Sequence, residues 1–387
     1  MGFPGMNRKQ RRASKADAKP PPGADPIALH DEGIEAFRRG NLDLAADRII
    51  RAIAADGQVP NFHYNLAIVL RAQNRLADAA LCYQRAIALK PGYADAHNNL
   101  GNVLKLLGQP DQARASFERA LQLRPGNADS HYNLGILYSE AGDRDQAAEH
   151  FRRCLENDPE DSRGAGLLLA HLGLGAAPDR TPPAQLQKIY DVRSGFWDRE
   201  TSYFGDALVA DALRRHAPQA KMDILDIGCG TGLAGARVRD LAARLNGVDL
   251  SSAMLEKARA KNIYDRLEQA DLLTFLSAHP GGYDALLGAA TLIHFGELLT
   301  VFQAAAASLR AQGLFVFTLF AGDEDFAVAA SGKLAQSGCY RHSAGYVERL
   351  AETCGFSIME LQQVVHEQDE AGNPVAGLLA VLRRTAA

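Results

Sequence analysis

Small and large apolar positions recur every 34 residues between residues 26 and 161. A fixed period of this length is the signature of an array of repeats, each stacking on the next. Small residues let two antiparallel helices approach closely, and a proline ends the second helix of each pair. The pattern predicts four helix pairs. The matched positions are Leu66-Ala67, Leu100-Gly101 and Leu134-Gly135; Ala79, Ala113 and Ala147; Tyr83, Phe117 and Phe151; and Pro91, Pro125 and Pro159.

These positions resemble the tetratricopeptide repeat (TPR) pattern over 136 residues. The first repeat is looser, with Glu32 where the others have leucine, as expected of a terminal unit that lacks one neighbour. The resemblance implies a right-handed superhelix over residues 24–161, with the first helix of each pair lining a concave groove. Residues 162–183 are predicted to form a capping helix and a linker.

Two polar ladders follow the repeats: His63, His97 and His131, and Asn65, Asn99 and Asn133. The histidines occupy a packing position, and ligands one repeat apart lie too far from each other to share an ion, so no metal site is predicted. The asparagines occupy the groove position of the pattern and resemble the ladder of O-linked N-acetylglucosamine transferase superhelices. An amide both donates and accepts, so these side chains could clamp a peptide backbone. Asparagine is also the common TPR residue here, so both interpretations stay open.

From about residue 184 the period ends, and strands alternate with helical patterns, which predicts an α/β domain with a mostly parallel sheet over residues 184–387. The first strand is followed by a glycine-rich turn and a helix predicted from Ala236 to Ala243. A second strand ends at Asp249 and a third at Asp271. The remaining predicted strands are 283–288, 314–319 and a final hairpin of 357–365 and 375–383.

The glycine turn could serve two ligand classes. Gly230, Gly232 and Gly235 match the dinucleotide fingerprint, with Asp249 at the distance expected of a ribose ligand. Asp226, at the end of the first strand, separates the two classes. A carboxylate there would repel a pyrophosphate, but it suits the ammonium group of a methionine moiety.

The string Leu225-Asp-Ile-Gly-Cys-Gly-Thr-Gly232 resembles the first motif of class I S-adenosylmethionine (SAM) methyltransferases. The resemblance implies a Rossmann-like, mostly parallel seven-stranded sheet with a C-terminal antiparallel hairpin. It also implies that Asp249 holds the ribose hydroxyls, that Met254 packs on the adenine, and that Asp271 accepts from the adenine amino group. The implied cofactor residues are Tyr190, Asp226, Gly228, Gly230, Thr231, Gly232, Asp249, Leu250, Met254, Asp271 and Leu272.

A catalytic base is required only for a protonated acceptor, because the sulfonium of SAM already activates the methyl group. His294 follows the fourth strand, at the position that faces the methyl in this family, and is the candidate base or orienting group. The alternative is a capping or packing histidine. The segment from Ile189 to Tyr203 is expected to form a lid. The segment after the fourth strand contains neither the Asn/Asp-Pro-Pro-aromatic string nor the Pro-Cys pair of base methyltransferases, which disfavours a nucleic-acid acceptor.

Composition limits the remaining classes. The net charge of −4 over 387 residues gives no general attraction to nucleic acid. The five cysteines never form a C-x-x-C pair, and no apolar run approaches the ~18 residues of a membrane span, so a cytoplasmic protein without a structural metal is expected. The first 23 residues hold six basic residues and one acid, and are expected to be a disordered leader or an electrostatic tether.

The combination resembles the predicted methyltransferases with TPR repeats known from bacterial genomes, through Asn246-Gly-Val-Asp-Leu-Ser and Ser343-Ala-Gly-Tyr-Val-Glu. We therefore predict a SAM-dependent methyltransferase whose TPR module binds a protein or peptide, with the methyl acceptor among the candidate partners. One alternative is a small-molecule methyltransferase that uses its repeats for complex assembly. Another is a TPR scaffold with a regulatory SAM site.

Overall fold

The computed structural model describes residues 25–199, 202–217, 221–328, 338–369 and 371–385. The basic segment 1–23 lies outside the described residues. Contacts divide the chain into a unit that ends at Pro159 and a unit that begins at Glu160. The repeats are predicted to end at residue 161, close to this division, and the segment 162–183, predicted as a capping helix and linker, falls within the second unit.

The first unit contains eight helices within the described residues, arranged as four consecutive pairs, as the period predicts. Side-chain oxygens of Asp25, Asn41, Asn127 and Asp143 accept from backbone N–H groups at helix starts, which stabilises those ends. The helices are α1 (Pro26–Arg38), α2 (Leu42–Ala55), α3 (Pro60–Ala72), α4 (Leu76–Leu89), α5 (Ala94–Leu106), α6 (Pro110–Leu123), α7 (Ala128–Glu140) and α8 (Arg144–Asn157).

The small residues of the repeat sit directly under aromatic rings of the second helix. A Cβ added at Gly101 would lie 2.6 Å from the Phe117 ring, and one at Gly135 would lie 2.5 Å from the Phe151 ring. Both phenylalanines are fully buried. The 34-residue period therefore reflects a steric rule, because a bulky ring on the second helix of a pair requires a small residue on the first helix.

The histidine ladder fixes the turns that connect the repeats. Nε2 of His63, His97 and His131 lies 3.1, 3.3 and 2.9 Å from the carbonyl oxygens of Gly57, Pro91 and Pro125, each six residues earlier. Burial lowers the pKa of all three histidines. These contacts support the packing interpretation of the ladder.

The second unit is a sheet of nine strands, counted over the described residues, covered by helices on both faces. The helices are α9 (Ala165–His171), α10 (Pro183–Arg193), α11 (Gly205–His216), α12 (Leu233–Val238), α13 (Ser252–Ala260), α14 (Leu272–Ala278), α15 (Leu299–Ser308) and α16 (Ala344–Thr353). The strands are β1 (Met222–Ile227), β2 (Ala242–Asp249), β3 (Arg266–Gln269), β4 (Tyr283–Gly288), β5 (Leu309–Ala321), β6 (Phe326–Val328), β7 (Tyr340–His342), β8 (Phe356–Gln368) and β9 (Pro374–Arg384).

The strand order is β3-β2-β1-β4-β5-β7-β6, and the β8–β9 hairpin joins through β9, which pairs with β5. Strands β1 to β5 run parallel, whereas β9 runs antiparallel to β5, so the predicted sheet class and the C-terminal hairpin are confirmed. The two extra strands, β6 and β7, have three residues each and pair beside the end of β5. The motifs gave no signal for such short strands.

Two predicted boundaries are wrong. The helix expected to reach Ala243 ends at Val238, and β2 begins at Ala242, which is in register with Met222 of β1. Pairing in the sheet overrides the helix preference of alanine at this position. Strand β3 ends at Gln269, because Asp271 serves as the N-cap of α14.

No helix of the described residues is both long enough and apolar enough to cross a bilayer.

The parallel strands place the carboxyl ends of β1, β2 and β4 at one edge of the sheet. Ligands of open α/β sheets bind at such an edge.

Gly135→Val is expected to destabilise the first unit by about 1–3 kcal/mol, because the added methyl groups must displace the buried ring of Phe151. The measurement is urea unfolding of the full chain. Gly92→Val is the matched control, since a Cβ at Gly92 meets open space. Equal midpoints for the two variants would contradict the steric rule.

Candidate cofactor site

A pocket opens at the carboxyl ends of β1, β2 and β4. Its walls come from the glycine-rich turn, the loops after these strands, residues between 180 and 197, and Tyr203. The lining residues include Arg180, Thr181, Pro183, Leu186, Tyr190, Trp197, Tyr203, Asp206, Asp226, Gly228, Cys229, Gly230, Leu233, Ala234, Val248, Asp249, Leu250, Met254, Ala270, Asp271, Leu272, Ala289, Ala290, Thr291, His294 and Phe295.

Asp249, at the end of β2, organises one side of this pocket. Its Oδ2 accepts from the backbone N–H of Gly230 at 2.8 Å, and its Oδ1 accepts from the N–H of Ser251 at 2.8 Å. Gly230 has φ +53°, so glycine relieves the strain that a side chain would suffer there. Burial raises the pKa of Asp249 to about 6. A carboxylate fixed in this way retains lone pairs that can accept from two vicinal hydroxyls.

Asp226, at the end of β1, is 1% exposed and forms the floor. Its Oδ2 accepts from the hydroxyl of Tyr264 at 2.6 Å. Burial raises the pKa of Asp226 to about 7, and the nearby charge of Asp249 adds to the rise. The site can therefore stabilise a ligand cation strongly, since such a charge relieves the cost of ionising the carboxyl group.

Tyr264 is a residue that the motif search did not find. A Cβ at Gly235 would lie 2.2 Å from its hydroxyl oxygen, so the third glycine of the fingerprint leaves room for this tyrosine. The glycine at position 235 indicates that another side chain packs closely there, but it does not identify Tyr264 as that side chain.

Leu250, Met254, Asp271 and Leu272 of the predicted cofactor residues also line the pocket. Asp271 accepts from the N–H of Thr274 through Oδ1 at 3.3 Å. Its Oδ2 accepts from Nη1 of Arg180 at 2.7 Å. Arg180 is a second residue that sequence reasoning missed, because it precedes the predicted domain boundary and belongs to no motif.

Tyr190, Trp197 and Tyr203 of the segment predicted as a lid contribute to the pocket lining. Two aspartates of this segment, Asp191 and Asp198, contact the loops after β1 and β2 and the C-cap of helix α13. Asp191 Oδ1 accepts from Ser251 Oγ at 2.6 Å. Asp198 accepts from Thr231 Oγ1 and pairs with Lys261 Nζ at 3.0 Å.

Two of the predicted cofactor residues are not part of the pocket wall. Thr231 uses its hydroxyl to bind the lid through Asp198. Gly232 has φ +90° and starts α12 as its N-cap. Both residues shape the turn, whereas Gly228 and Gly230 line the pocket directly.

His294 lies on the wall beside Tyr190, and is 4% exposed. Its Nε2 is 2.8 Å from the hydroxyl oxygen of Tyr190. Burial lowers the pKa of His294 to about 4, so the imidazole is neutral at physiological pH. A neutral Nε2 can accept from the tyrosine hydroxyl and thereby fix its direction.

The asparagine ladder of the first unit bonds to the preceding repeat. The amide nitrogens of Asn65, Asn99 and Asn133 contact His30 Nε2 at 2.8 Å, Tyr64 Oη at 2.9 Å and Asn98 Oδ1 at 3.3 Å, each 35 residues earlier. The amide nitrogens therefore serve repeat stacking, and peptide binding at these positions would depend on the amide oxygens.

Comparison with known families agrees with both modules. Residues 92–160 match the tetratricopeptide repeat family, residues 69–108 match a TPR repeat family, and residues 224–313 match a methyltransferase domain family. The chain carries TPR repeats and a class I methyltransferase domain. Domains of this class use SAM, so the predicted cofactor and the predicted enzyme class are confirmed for this domain.

Similar proteins include the ubiquinone biosynthesis O-methyltransferase of Albidiferax ferrireducens, 26% identical over 39% of this chain and 64% of that protein. Human methyltransferase-like protein 27 is 35% identical over 27% of this chain and 45% of that protein. The chain thus spans less than two thirds of either relative. The structure of the 1,6-didemethyltoxoflavin-N1-methyltransferase of Burkholderia thailandensis, with S-adenosylhomocysteine, is 20% identical, with TM-score 0.43, over 53% of this chain and 87% of that one.

The residues present fit SAM. Asp226 offers a buried carboxylate for an ammonium, and Asp249 offers two oxygens for a diol. The carboxyl group of Asp226 in the same pocket disfavours a pyrophosphate, which favours SAM over a dinucleotide on electrostatic grounds.

Affinity for S-adenosylhomocysteine is expected to fall as the pH decreases from about 8 to about 5.5. The ionised carboxylates accept hydrogen bonds from the ligand. As the pH decreases, Asp226 is protonated first, with a pKa of about 7, and Asp249 follows, with a pKa of about 6. Below each of these pKa values, protonation of the carboxylate weakens ligand binding about tenfold per pH unit. Calorimetric titration across this range measures the effect.

Asp226→Asn is expected to remove the upper part of this pH profile. The matched control is Asp240→Asn, because Asp240 pairs with Arg214 and is not among the residues that line the pocket. A flat profile for the unmodified chain would show that the two carboxylates do not bind the ligand.

Proposed function

We propose that the chain transfers a methyl group from SAM to an acceptor, and that its repeats bind a protein or peptide partner, with the methyl acceptor among the candidate partners. The observation that carries the proposal is the pair Asp226 and Asp249, which border one pocket beside the glycine turn. The proposed cofactor contacts of Tyr190, Leu250, Met254, Asp271 and Leu272 agree with their places on the wall.

Bound SAM supplies an electrophilic methyl group on a positively charged sulfur. The residues of the chain bind the cofactor, orient the acceptor and exclude water. Asp226 accepts from the ammonium group, and Asp249 accepts from the ribose hydroxyls. Tyr190 and Trp197 on the lid shield the reacting end from solvent.

His294 acts as an orienting group in this proposal. With a pKa of about 4, its imidazole is a weak base at physiological pH, so it is poorly suited to removing a proton from an alcohol or phenol. It can instead hold the hydroxyl hydrogen of Tyr190, 2.8 Å away, and leave the tyrosine oxygen to accept from the acceptor. Such an arrangement favours an acceptor that is already nucleophilic.

A small-molecule acceptor is the second candidate. By their names, relatives of this chain act in ubiquinone biosynthesis and on an amino sugar nucleotide, as an O-methyltransferase and an N,N-dimethyltransferase. In that case the repeats would only assemble a complex.

The test of activity is calorimetric titration with S-adenosylhomocysteine, SAM and NAD(H), followed by transfer of labelled methyl from SAM to proteins and small molecules of a cell lysate. We expect micromolar binding of the SAM pair and labelled product. Asp249→Ala should abolish both, with an unchanged melting temperature of the first unit. Binding of NAD(H) alone would overturn the proposal.

The test of the repeats uses the full chain with Asn65, Asn99 and Asn133 replaced by alanine. If the partner is the acceptor, labelling of protein should fall at least tenfold, while affinity for S-adenosylhomocysteine stays unchanged. The matched control replaces Gln84, Glu118 and Arg152, which are exposed, recur every 34 residues, and lie on second helices. Equal labelling by both triple variants would contradict delivery through the asparagine ladder.

A further inference from the structure

The segment 178–181 precedes the predicted catalytic domain, yet it is fastened into that domain's pocket. The N–H of Thr181 donates to the carbonyl of His294 at 2.8 Å, and the N–H of Gly296 donates to the carbonyl of Asp179 at 2.8 Å. Arg180 pairs with Phe295 in an isolated antiparallel bridge. The segment therefore behaves as a short strand added beside the loop after β4.

A second loop holds the same segment from another side. The hydroxyl of Tyr340 donates to the carbonyl of Pro178 at 2.6 Å, and Oγ1 of Thr181 donates to the carbonyl of Gly338. Thr181 and Tyr340 are both fully buried. The backbone of Arg180 is thus anchored on both sides, and its side chain starts from a fixed point.

The guanidinium of Arg180 reaches the adenine end of the proposed SAM site. Its Nη1 lies 2.7 Å from Asp271 Oδ2, and both residues line the pocket. The two side chains are 33% and 23% exposed, so the pair is partly shielded from water. The guanidinium carbon also lies 6.0 Å from the centre of the Phe295 ring.

The ion pair controls how Asp271 can meet a ligand. Oδ1 caps α14 through Thr274, and Oδ2 accepts from Arg180, so both oxygens are held and the carboxylate plane cannot rotate freely. Each oxygen keeps a further lone pair, because a carboxylate has about four acceptor positions. A hydrogen bond to an exocyclic amino group depends on that orientation.

We propose that Arg180 is a positioning residue that makes the site selective for the 6-amino group of adenine, acting through Asp271. This inference rests on the proposed function, since it concerns recognition of the same cofactor. It extends the site to residues outside the glycine-rich motif, and makes the segment 178–181 part of the cofactor-binding machinery.

The test compares S-adenosylhomocysteine with its 6-deamino analogue, in which the adenine amino group is replaced by hydrogen. The full chain is expected to bind the analogue about tenfold more weakly, the usual effect of losing one hydrogen bond to a charged group. In Arg180→Gln the ratio of the two dissociation constants should fall below about threefold. Arg180→Lys, which keeps the charge, should give an intermediate ratio.

The matched control is Arg214→Gln, because Arg214 pairs with Asp240 at 2.6 Å and does not line the pocket. It should keep the ratio of the unmodified chain. A purely structural role of Arg180 would weaken both ligands equally and leave the ratio unchanged, which would overturn the inference. Failure of the unmodified chain to bind S-adenosylhomocysteine would overturn the proposed function, and the inference with it.

Discussion

The second unit depends on two carboxyl groups at the ends of parallel strands, Asp226 buried and Asp249 half-buried. Asp226 and Asp249 lose water there, and burial raises the pKa of both. Only fixed donors make this arrangement tolerable: a tyrosine hydroxyl for Asp226, and two backbone N–H groups for Asp249. The tight turn places the N–H of Gly230 against Asp249, and Gly230 adopts φ +53° in that turn.

The sequence predicted the parts of this site that lie within a motif or directly after a predicted strand: the run Leu225–Gly232, and Asp249 and Asp271 after the next two strands. The run Leu225–Gly232 specifies a buried strand, a turn and a helix start, so its neighbours in space are also neighbours in sequence. Tyr264 and Arg180 could not be predicted, because each reaches its carboxylate from a distant segment, 38 and 91 residues away. Local patterns carry no information about such partners.

The repeats show the same limit in a different form. A 34-residue period fixes which positions are equivalent, so the steric match of Gly101 and Gly135 with Phe117 and Phe151 could be anticipated. The period does not name the atoms that a polar ladder contacts. The histidines bond to turn carbonyls six residues back, whereas the asparagines bond to three different side chains. Identical ladders in sequence thus have unlike chemical partners.

The raised pKa of Asp226 links function to stability. The folded chain binds a proton at this group more tightly than the unfolded chain, because the pKa rises from 3.8 to about 7. The corresponding stability is fully present below about pH 3.8, and is lost as the pH rises through 7. At neutral pH the ionised carboxylate of Asp226 therefore lowers the stability of the ligand-free fold, and a cationic ligand offsets this loss of stability when it binds. A carboxyl group that destabilises the free protein at neutral pH is the arrangement expected of a site that binds a cationic ligand.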